Sequence, residues 1–430
     1  PRSPRINLPR CNMAGLGRLK RHNNRPSAET QLNGETTLAQ LGKNIIGTSD
    51  TSPFFLVENA DAVSIDAPEN RKGDAVRTWV RSLSGFQKEA LVRSAKTGRT
   101  WRLVSDEGPY LNGHDAAPCP LAFLSTGMVA SYMNEIVALA EQRGVVMRKL
   151  RLIQNNFYTM KGSMPKRTMV GGAEPIDLEV EVDCDLDDTA LNILLMDAVH
   201  ASPLNGLMRG KLESLFKLSK NGSELTTGKA AELDGALFPD PGNHFAMACP
   251  VENRPELVGP VGPTPKKEVA LGTTAAAGSL TDEQNRRLNI GAIATLREDG
   301  IKDIQQMQYS PWGTSFRFLS SEDGRAPDAN SLISAGIGFC FMTQFGRFVS
   351  MLKLDLPDYR IVQDTHFSLG GASGGTGKAG EADAIETHCY LETSEDDATA
   401  QEMLDMSEQT CFLHAFCRTE MKTKLKITRV

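Results

Sequence analysis

RLIQNNF at residues 151–157 and RIVQDTH at residues 360–366 are two versions of one segment. They lie 209 residues apart (360 − 151), and the same offset continues without a gap as far as Leu204 and Leu413. A self-match at a fixed offset indicates that one structural unit occurs twice. The chain therefore carries two diverged copies of one domain.

The copies also match upstream of this segment. GRTWRLVSDE at residues 98–107 resembles GTSFRFLSSE at residues 313–322, at an offset of 215 (313 − 98). The second copy has therefore lost six residues (215 − 209) in the loop that follows. In the first copy, TWVRSLSG (78–85) and TWRLVSD (100–106) alternate apolar and polar residues, which is typical of half-buried strands in a meander.

A long apolar run follows these strands in each copy, at residues 120–142 and 330–353. Apolar runs of this length, with small residues inside them, predict buried helices rather than strands. Two strands are predicted next, near residues 149–158 and 176–184 in the first copy. The acidic pair that begins at Asp187 predicts the start of a closing helix, because acidic side chains complement the exposed amides there. The order β-β-β-α-β-β-α predicts an α+β fold.

The predicted organisation has four parts. They are a basic N-terminal arm (1–60), the first copy (61–220), a Gly/Pro/Ala-rich linker (221–285) and the second copy (286–430). The linker composition predicts a long connection that crosses between the two domains.

The composition is that of an ordinary globular protein, with 40% hydrophobic residues, 23% charged residues and a net charge of -6. This mild acidity argues against nucleic acid as the main partner, because nucleic-acid-binding surfaces are usually basic. The N-terminal arm differs, since its basic residues all precede the first acidic residue, Glu29. They are Arg2, Arg5, Arg10, Arg18, Lys20, Arg21 and Arg25. We expect a tail or an arm that docks on an acidic surface of another subunit, which would allow a homo-oligomer.

The sequence shows no secretory signal and no membrane span. Apolar stretches such as LISAGIGFCFM (332–342) fall short of the roughly 20 residues that cross a bilayer. Eight cysteines scattered over 430 residues lack the density of a secreted disulfide scaffold. We therefore expect a protein of the reducing cytoplasm that does not associate with membranes.

Two cysteines of the second copy replace two serines of the first. Cys340 on the central helix and Cys411 on the last helix correspond, at the 209 offset, to Ser131 and Ser202. Because the two positions changed together, we predict that their side chains face each other, as a dithiol in one copy and an inert diol in the other. A buried cysteine can also be a small core hydrophobe, and this alternative stays open.

The run TGRTWRLVSDEGPYLNGHDAAPCPLAFLSTGMVAS at residues 97–131 resembles the OsmC/Ohr family of peroxide-detoxifying proteins. In that family a strand ending in an acidic turn leads through a Gly-Asp loop and a Pro into the central helix. The resemblance covers roughly residues 70–220 and 286–430. It implies two tandem OsmC-like domains, each an antiparallel sheet wrapped around a long central helix. They would form an intramolecular pseudo-dimer whose first copy is degenerate.

The resemblance also implies a thiol peroxidase cycle that needs no cofactor. Cys340 would attack the peroxide O–O bond, Cys411 would then close a disulfide, and a thiol or lipoyl reductant would reset the pair. The attack requires a thiolate. Lowering a thiol pKa from about 8.5 to about 7 needs roughly 2 kcal/mol of differential stabilisation.

Three further residues are carried over from the resemblance. Arg297, in the turn between the second copy's first two strands, takes the role of the activating cation. Asn330 and His414 are predicted to line the substrate pocket. Asn330 stands where Ohr-type proteins place a Glu, and Ala329 stands in place of the Pro that opens the helix.

Other site chemistries remain open at this stage. Cys411, His414 and Cys417 recur at every third residue of a predicted helix, and with Cys340 they would supply four zinc ligands. We expect no metal, because structural zinc sites usually place a turn between their ligands.

Two further motifs are weaker. His114 and Asp115 precede Ser131 as in a serine hydrolase, but no oxyanion motif is recognisable. The cluster LGGASGGTGKAG (369–380) lacks the P-loop spacing and predicts a hairpin connection.

The sequence thus predicts a cytoplasmic, cysteine-based peroxidase that reduces organic hydroperoxides. One alternative is a protein that binds a ligand or partner in a degenerate OsmC pocket. Another is a thiol-dependent enzyme acting on an organosulfur substrate. Asn330 favours the alternatives, because an amide cannot pair the charge of an Arg. A short distance between Cys340 and Cys411 would favour the peroxidase.

Overall fold

The computed structural model of the chain describes residues 42–265 and 279–430. The first half contains, in chain order, β1 (Phe55–Leu56), α1 (Ala60–Val63), β2 (Gly73–Ser84), β3 (Gln87–Ser94), β4 (Thr100–Ser105), α2 (Pro120–Gln142), β5 (Met147–Ser163), β6 (Val170–Cys184), α3 (Asp188–Ala201), α4 (Asn205–Arg209), β7 (Leu215–Lys220) and β8 (Ser223–Leu225). The second half contains β9 (Val258–Pro263), β10 (Glu283–Leu296), β11 (Lys302–Ser310), β12 (Thr314–Ser320), α5 (Ala329–Leu352), β13 (Asp358–Ser368), β14 (Glu386–Glu392), α6 (Asp397–Thr410), α7 (Phe412–Arg418) and β15 (Thr423–Arg429).

The predicted α+β fold is confirmed in both halves. Three strands lead to a long helix, two strands and a closing helix, as β2-β3-β4-α2-β5-β6-α3 and again as β10-β11-β12-α5-β13-β14-α6. The closing helices begin where acidic residues were predicted to start them. Asp187 caps α3 by accepting a hydrogen bond from the Ala190 amide at 2.8 Å, and Asp396 does the same for α6 with the Thr399 amide at 2.8 Å.

The strands form two sheets, and each sheet takes strands from both halves. One sheet has the order β1-β4-β3-β2-β13-β14-β7-β8, and the other has the order β15-β6-β5-β10-β11-β12-β9. The meander of one half therefore continues into the strand pair of the other half. The two joins are antiparallel, with Gln363 opposite Thr78 in the first sheet and Ile293 opposite Ile153 in the second.

The two copies of the sequence consequently do not pack as separate layers. The strand that follows each closing helix also crosses over, because β7 pairs with β14 and β15 pairs with β6, both in parallel. The predicted linker includes β8 at one sheet edge and β9 at the edge of the other sheet. It therefore passes from one sheet to the other, as a connection between two repeated units must.

The long helices α2 and α5 pack against each other, and they approach closely at two glycines. A Cβ atom on Gly127 would lie 2.8 Å from the Ala329 carbonyl oxygen, and one on Gly336 would lie 3.0 Å from the Leu124 amide nitrogen. Gly127 and Gly336 are equivalent at the 209 offset. The repeat therefore supplies both halves of one close helix crossing, which only residues without a side chain permit.

Helix α5 is long and apolar enough to cross a membrane, by length and composition. An 18-residue stretch within its 24 residues has a mean hydropathy of 1.3, but 94% of that stretch is buried inside the fold. It is the central core helix predicted at residues 330–353. The predicted arm at residues 1–60 lies largely outside the described residues, which begin at residue 42. Its docking on another subunit stays a prediction.

Candidate active site

The two pairs of equivalent positions are each in contact. Ser131 on α2 and Ser202 after α3 share a hydrogen bond of 2.7 Å between their hydroxyl oxygens. Cys340 on α5 and Cys411, the residue before α7, are likewise close enough for their thiols to interact. Both cysteines are buried, and both are free thiols. The geometry thus provides a dithiol in the second half and a diol at the equivalent place in the first.

Cys340 lines a narrow cavity with about 30 Å³ of free space, enough for roughly one or two water molecules. The cavity lies where α5 faces the N-terminus of α2 and the strands β10 and β11. Its apolar wall consists of Leu111, Pro120, Leu121, Leu288, Ile290, Pro311 and Phe412. Its polar wall consists of Glu107, Tyr110, Ser279, Arg286, Gln308, Thr343, Gln344 and Arg347, together with Cys119. Both halves of the chain therefore build this cavity.

Glu107 supplies a buried carboxylate to the cavity. It follows β4 of the first half and accepts hydrogen bonds from the Tyr110 hydroxyl at 2.7 Å and the Thr343 hydroxyl at 2.9 Å. Burial raises the pKa of Glu107, and the nearby ammonium group of Lys88 partly opposes that rise. Glu107 can therefore take up a proton more readily than an exposed carboxylate would.

Two buried arginines face the same cavity. Arg347, on α5, is only 1% exposed and donates to the Ser279 carbonyl oxygen at 3.1 Å and the Gln344 side-chain oxygen at 2.9 Å. Arg286, on β10, donates to the Ser279 hydroxyl. Burial lowers the pKa of Arg347 to about 9 and that of Arg286 to about 10. Both guanidinium groups remain cations at neutral pH, although their partners here are uncharged.

A third cation lies behind the carboxylate. Lys88, on β3, is buried and donates to the Phe86 carbonyl oxygen at 2.5 Å. Burial lowers the pKa of Lys88, and Glu107 and Cys340 are among the groups that oppose the change. The site therefore combines a thiol, one carboxylate and three cationic side chains in surroundings of low polarity.

The thiol itself is protonated in this arrangement. Burial raises the pKa of Cys340, and its hydrogen bond with Cys411 adds to the rise. The cations favour a thiolate, but the structure shows them outweighed by the loss of hydration. A thiolate at Cys340 would therefore form only as its proton is transferred to another group.

A second small cavity, with about 20 Å³ of free space, occupies the equivalent place beside Ser131. Its lining matches the first cavity position by position: Ser131 for Cys340, Asn134 for Thr343, Glu135 for Gln344, Asn330 for Leu121 and Glu322 for Glu107. Where the first cavity has apolar walls, this one is polar. The two cavities are diverged versions of one site.

Residues 322–426 match the family model described as OsmC-like protein. The predicted family resemblance is confirmed for the second half. A solved structure, an OsmC-like hydroperoxide resistance protein from Jannaschia sp. CCS1, is 18% identical and covers 29% of this chain and 81% of its own, with a TM-score of 0.19. The comparison with curated proteins found no match. The matched range lies within the second half, so the tandem arrangement of two OsmC-like domains stays a prediction.

Arg297 does not line the cavity of Cys340. It occupies the turn between β10 and β11, where its side chain is 44% exposed and pairs with Asp299 at 3.0 Å. The cations of the cavity are Arg286 and Arg347 instead. Arg286 lies on β10, near the end of this hairpin that is opposite to the turn.

Asn330 belongs to the other cavity. Its side chain donates to the Asp74 carboxylate at 2.8 Å and lies in the pocket beside Ser131. The two central helices run past each other, so the N-terminus of each one approaches the middle of its partner. The residue at the helix start that faces Cys340 is therefore Leu121, which is apolar. The carboxylate of the cavity comes from Glu107, not from the start of the helix.

His414 and Cys417 are core residues on α7. The His414 ring packs against Phe341 and Phe216, with ring centroids 4.8 Å and 5.6 Å away, and burial lowers its pKa to about 3. Neither ring nitrogen has a hydrogen-bond partner among the described residues. His414 is not among the residues that line the cavity. Over residues 42–265 and 279–430, no cluster of three or more His, Cys, Asp or Glu side chains is arranged to hold a metal.

The weaker motifs have structural partners of their own. Asp115 accepts hydrogen bonds from the Thr314 amide at 3.1 Å and its hydroxyl at 2.6 Å, whereas Ser131 pairs with Ser202. The glycine cluster at 369–380 is held by Glu135, which accepts from the Ala372 amide at 2.8 Å. Neither motif forms a hydrolase triad or a phosphate loop.

Sequence reasoning missed Glu107, Arg286, Arg347 and Lys88 as members of this site. One signal was available, because the 215 offset aligns Glu107 with Glu322. Charged residues that recur at equivalent, buried positions point to a site rather than to a solvated turn. Glu107 lies near the thiol of the other half because the two halves exchange strands. No local sequence pattern predicts that exchange.

Proposed function

We propose that the chain is a thiol peroxidase of the OsmC/Ohr type that reduces organic hydroperoxides with Cys340 and resolves the product with Cys411. The observation that carries the proposal is the proximity of these two free thiols, one of which, Cys340, lines a cavity that also holds a carboxylate and two guanidinium groups. A pair of facing thiols can pass between dithiol and disulfide without a large movement of the backbone.

The chemistry divides into two balanced steps. In the first, the sulfur of Cys340 attacks the terminal oxygen of R–O–OH, the O–O bond breaks, and the thiol proton reaches the leaving alkoxide. The products are the sulfenic acid of Cys340 and the alcohol ROH. In the second, the Cys411 thiol displaces hydroxide from that sulfenic acid, giving a disulfide and water. A dithiol or lipoyl reductant of the cell would restore both thiols.

The polar wall supplies what the first step needs. Glu107 has a raised pKa and can relay the thiol proton, while Arg286 and Arg347 stabilise the charge that develops on sulfur and on the leaving oxygen. Their effect is strong because little water shares the cavity. The apolar wall favours a hydroperoxide with an organic substituent over hydrogen peroxide.

A binding protein is the second candidate. The raised pKa of Cys340 favours it, because a protonated thiol is a weak nucleophile. In that case the cavity would hold a small ligand without turning it over. Action on an organosulfur substrate is a third possibility that the same thiol chemistry allows. Cytoplasmic location, independence from nucleic acid and membranes, and assembly through the basic arm accompany the proposal as expectations.

The test is stopped-flow oxidation of the reduced protein by cumene hydroperoxide and by hydrogen peroxide. We expect rapid oxidation that prefers the organic substrate and yields a Cys340–Cys411 disulfide, mapped by mass spectrometry. Cys340→Ser should abolish the reaction. Cys411→Ser should leave the first step intact and prevent formation of the Cys340–Cys411 disulfide.

Cys389→Ser is the matched control, because Cys389 is a buried thiol on β14 outside the cavity. This variant should react as the unmodified protein does. Oxidation no faster than that of free cysteine, in every variant, would refute the peroxidase and leave the binding protein.

A further inference from the structure

The cavity of Cys340 contains a third thiol, that of Cys119. Cys119 belongs to the first half and directly precedes Pro120, the first residue of α2. It is 4% exposed and lines the same cavity as Cys340. Neither the peroxidase cycle nor the comparison of the cysteine pairs gives it a role.

The repeat shows that Cys119 is part of a coordinated exchange. At the 209 offset its equivalent is Asp328, the residue that precedes α5. The cavity beside Ser131 and Ser202 is therefore approached by an aspartate, whereas the one beside Cys340 and Cys411 is approached by a cysteine. Three positions, not two, therefore carry sulfur at the site of Cys340 and oxygen at the site of Ser131.

Helix capping does not explain a cysteine at this position. Asp328 caps α5 by accepting from the Ser331 amide at 2.9 Å, as aspartate commonly does. In the described structure the Cys119 thiol makes no capping hydrogen bond, and the Ala122 amide donates to the Cys119 carbonyl oxygen instead, at 2.9 Å. A poor cap in place of a good one weakens the start of a helix. The cysteine is thus retained at a local cost to the start of a 23-residue helix.

The helix crossing brings the thiols to neighbouring places. Gly336 lies one turn before Cys340, and a Cβ atom placed on it would be 3.2 Å from the Pro120 carbonyl oxygen. Pro120 is adjacent to Cys119, so α5 contacts the start of α2 in van der Waals range beside both cysteines. The polar groups Glu107 and Lys88 lie close enough to interact electrostatically with both thiols.

The cavity that both thiols line also contains an unpaired hydrogen-bond donor that a polar ligand could satisfy. Gln308 on β11 is 1% exposed and lines the cavity, and its side-chain amide nitrogen has no hydrogen-bond partner among the described residues. A buried donor without a partner is destabilising, so it favours occupation of the cavity by an acceptor such as a peroxide or sulfenic oxygen.

We infer that Cys119 is a second resolving thiol, which can trap the oxidised Cys340 in place of Cys411. This inference rests on the proposed peroxidase function for its oxidant. The Cys119 thiol would displace hydroxide from the Cys340 sulfenic acid. One S–S bond forms, one S–O bond breaks, and the thiol proton leaves with the hydroxide as water. The resulting disulfide would tie α2 to α5, and a dithiol reductant would return both cysteines to thiols.

The test uses the full chain with Cys411→Ser, which removes the first resolving thiol. One equivalent of cumene hydroperoxide is added, and the disulfides are mapped by mass spectrometry. A Cys119–Cys340 disulfide as the main product supports the inference. Persistence of a dimedone-reactive sulfenic acid on Cys340, with Cys119 still reduced, would overturn it.

Two double variants provide the matched comparison. Cys411→Ser with Cys119→Ser should lose the disulfide completely, and it should fold well because serine is a better helix cap than cysteine. Cys411→Ser with Cys417→Ser should keep it, since Cys417 is buried on α7 outside the cavity. Loss of the disulfide in both would overturn the assignment to Cys119.

A second oxidant separates this inference from the proposed function. Diamide converts neighbouring thiols to disulfides without any peroxidase chemistry. A Cys119–Cys340 disulfide formed with diamide but not with hydroperoxide would support the thiol pairing and refute the peroxidase. Failure of both diamide and the hydroperoxide to form it in Cys411→Ser would overturn the pairing.

Discussion

The guanidinium group of Arg347 is a charge that the fold buries without a carboxylate bonded to it. Its hydrogen bonds reach the Ser279 carbonyl oxygen and the Gln344 amide oxygen, both neutral acceptors. Such a charge is expensive to hold, and a hydrophobic side chain of similar volume often stabilises a protein at such a site. Under the proposed function, this buried charge serves the chemistry of the cavity rather than folding.

Arg347→Met should therefore separate activity from stability. We expect the second-order rate of Cys340 oxidation by cumene hydroperoxide to fall about tenfold or more, because a charge near the reacting atoms is lost. The midpoint of urea unfolding should stay unchanged or rise. Arg347→Lys keeps the charge and should recover part of the rate. A large loss of stability with an unchanged rate would mean that Arg347 serves the fold.

Single residues were also where the sequence was most and least informative. The sequence predicted that Cys340 and Cys411 face each other, because both are serines, Ser131 and Ser202, at the equivalent positions of the other copy. A repeat shows the same pair of positions in two versions. The roles given to Arg297 and Asn330 did not lead to the cavity. Both were sought within the second half alone, whereas the start of the facing helix and the carboxylate come from the first.

At the scale of elements, the starts of the two central helices differ in chemistry. Asp328 caps α5 near the carboxylates of Glu322 and Asp74, and burial raises its pKa to about 7, with Glu322 and then Asp74 adding to the rise. A group whose folded pKa lies above its unfolded value of 3.8 binds more protons in the folded state. Its contribution to stability is therefore complete below about pH 4 and is lost as the pH rises towards 7.

Asp328→Asn should remove this pH dependence without removing the cap, because asparagine caps helices about as well as aspartate. Relative to this variant, the unmodified protein should lose roughly 1 kcal/mol or more of unfolding free energy between pH 5 and pH 8, measured with urea. Asp396→Asn is the control of opposite sign. Hydrogen bonds from Thr399 lower the pKa of Asp396. The Asp396→Asn substitution should therefore not reduce the loss of unfolding free energy at high pH. Parallel pH profiles for Asp328→Asn and the unmodified protein would contradict the argument.

Helices and strands were predictable because their signals are local. The apolar run that predicted a helix at 120–142 matches α2, since periodicity and length decide it. The neighbours of each strand were not predictable in the same way. That β2 pairs with β13, and β5 with β10, depends on contacts between residues far apart in sequence.

For the whole molecule, the exchange of strands between the halves means that neither half forms a complete sheet by itself. Removing one half would expose the edge of β2 or β13 in one sheet and of β5 or β10 in the other, together with one face of a buried central helix. Unpaired strand edges and an uncovered apolar helix favour association with another chain. The two halves should therefore depend on each other for folding, as the proposed intramolecular pseudo-dimer implies.

This dependence can be tested with two separate chains, residues 42–265 and residues 279–430. Mixed together, they should assemble into a one-to-one complex, because the sheets need no covalent connection between the halves and association costs only a limited entropy. Size-exclusion chromatography with light scattering and circular dichroism would measure the assembly. The second chain alone should self-associate, placing Glu322 and Asp328 where the full chain has Glu107 and Cys119. A folded, monomeric second chain would show instead that the halves are independent domains, and that the cavity of Cys340 can form without the first half.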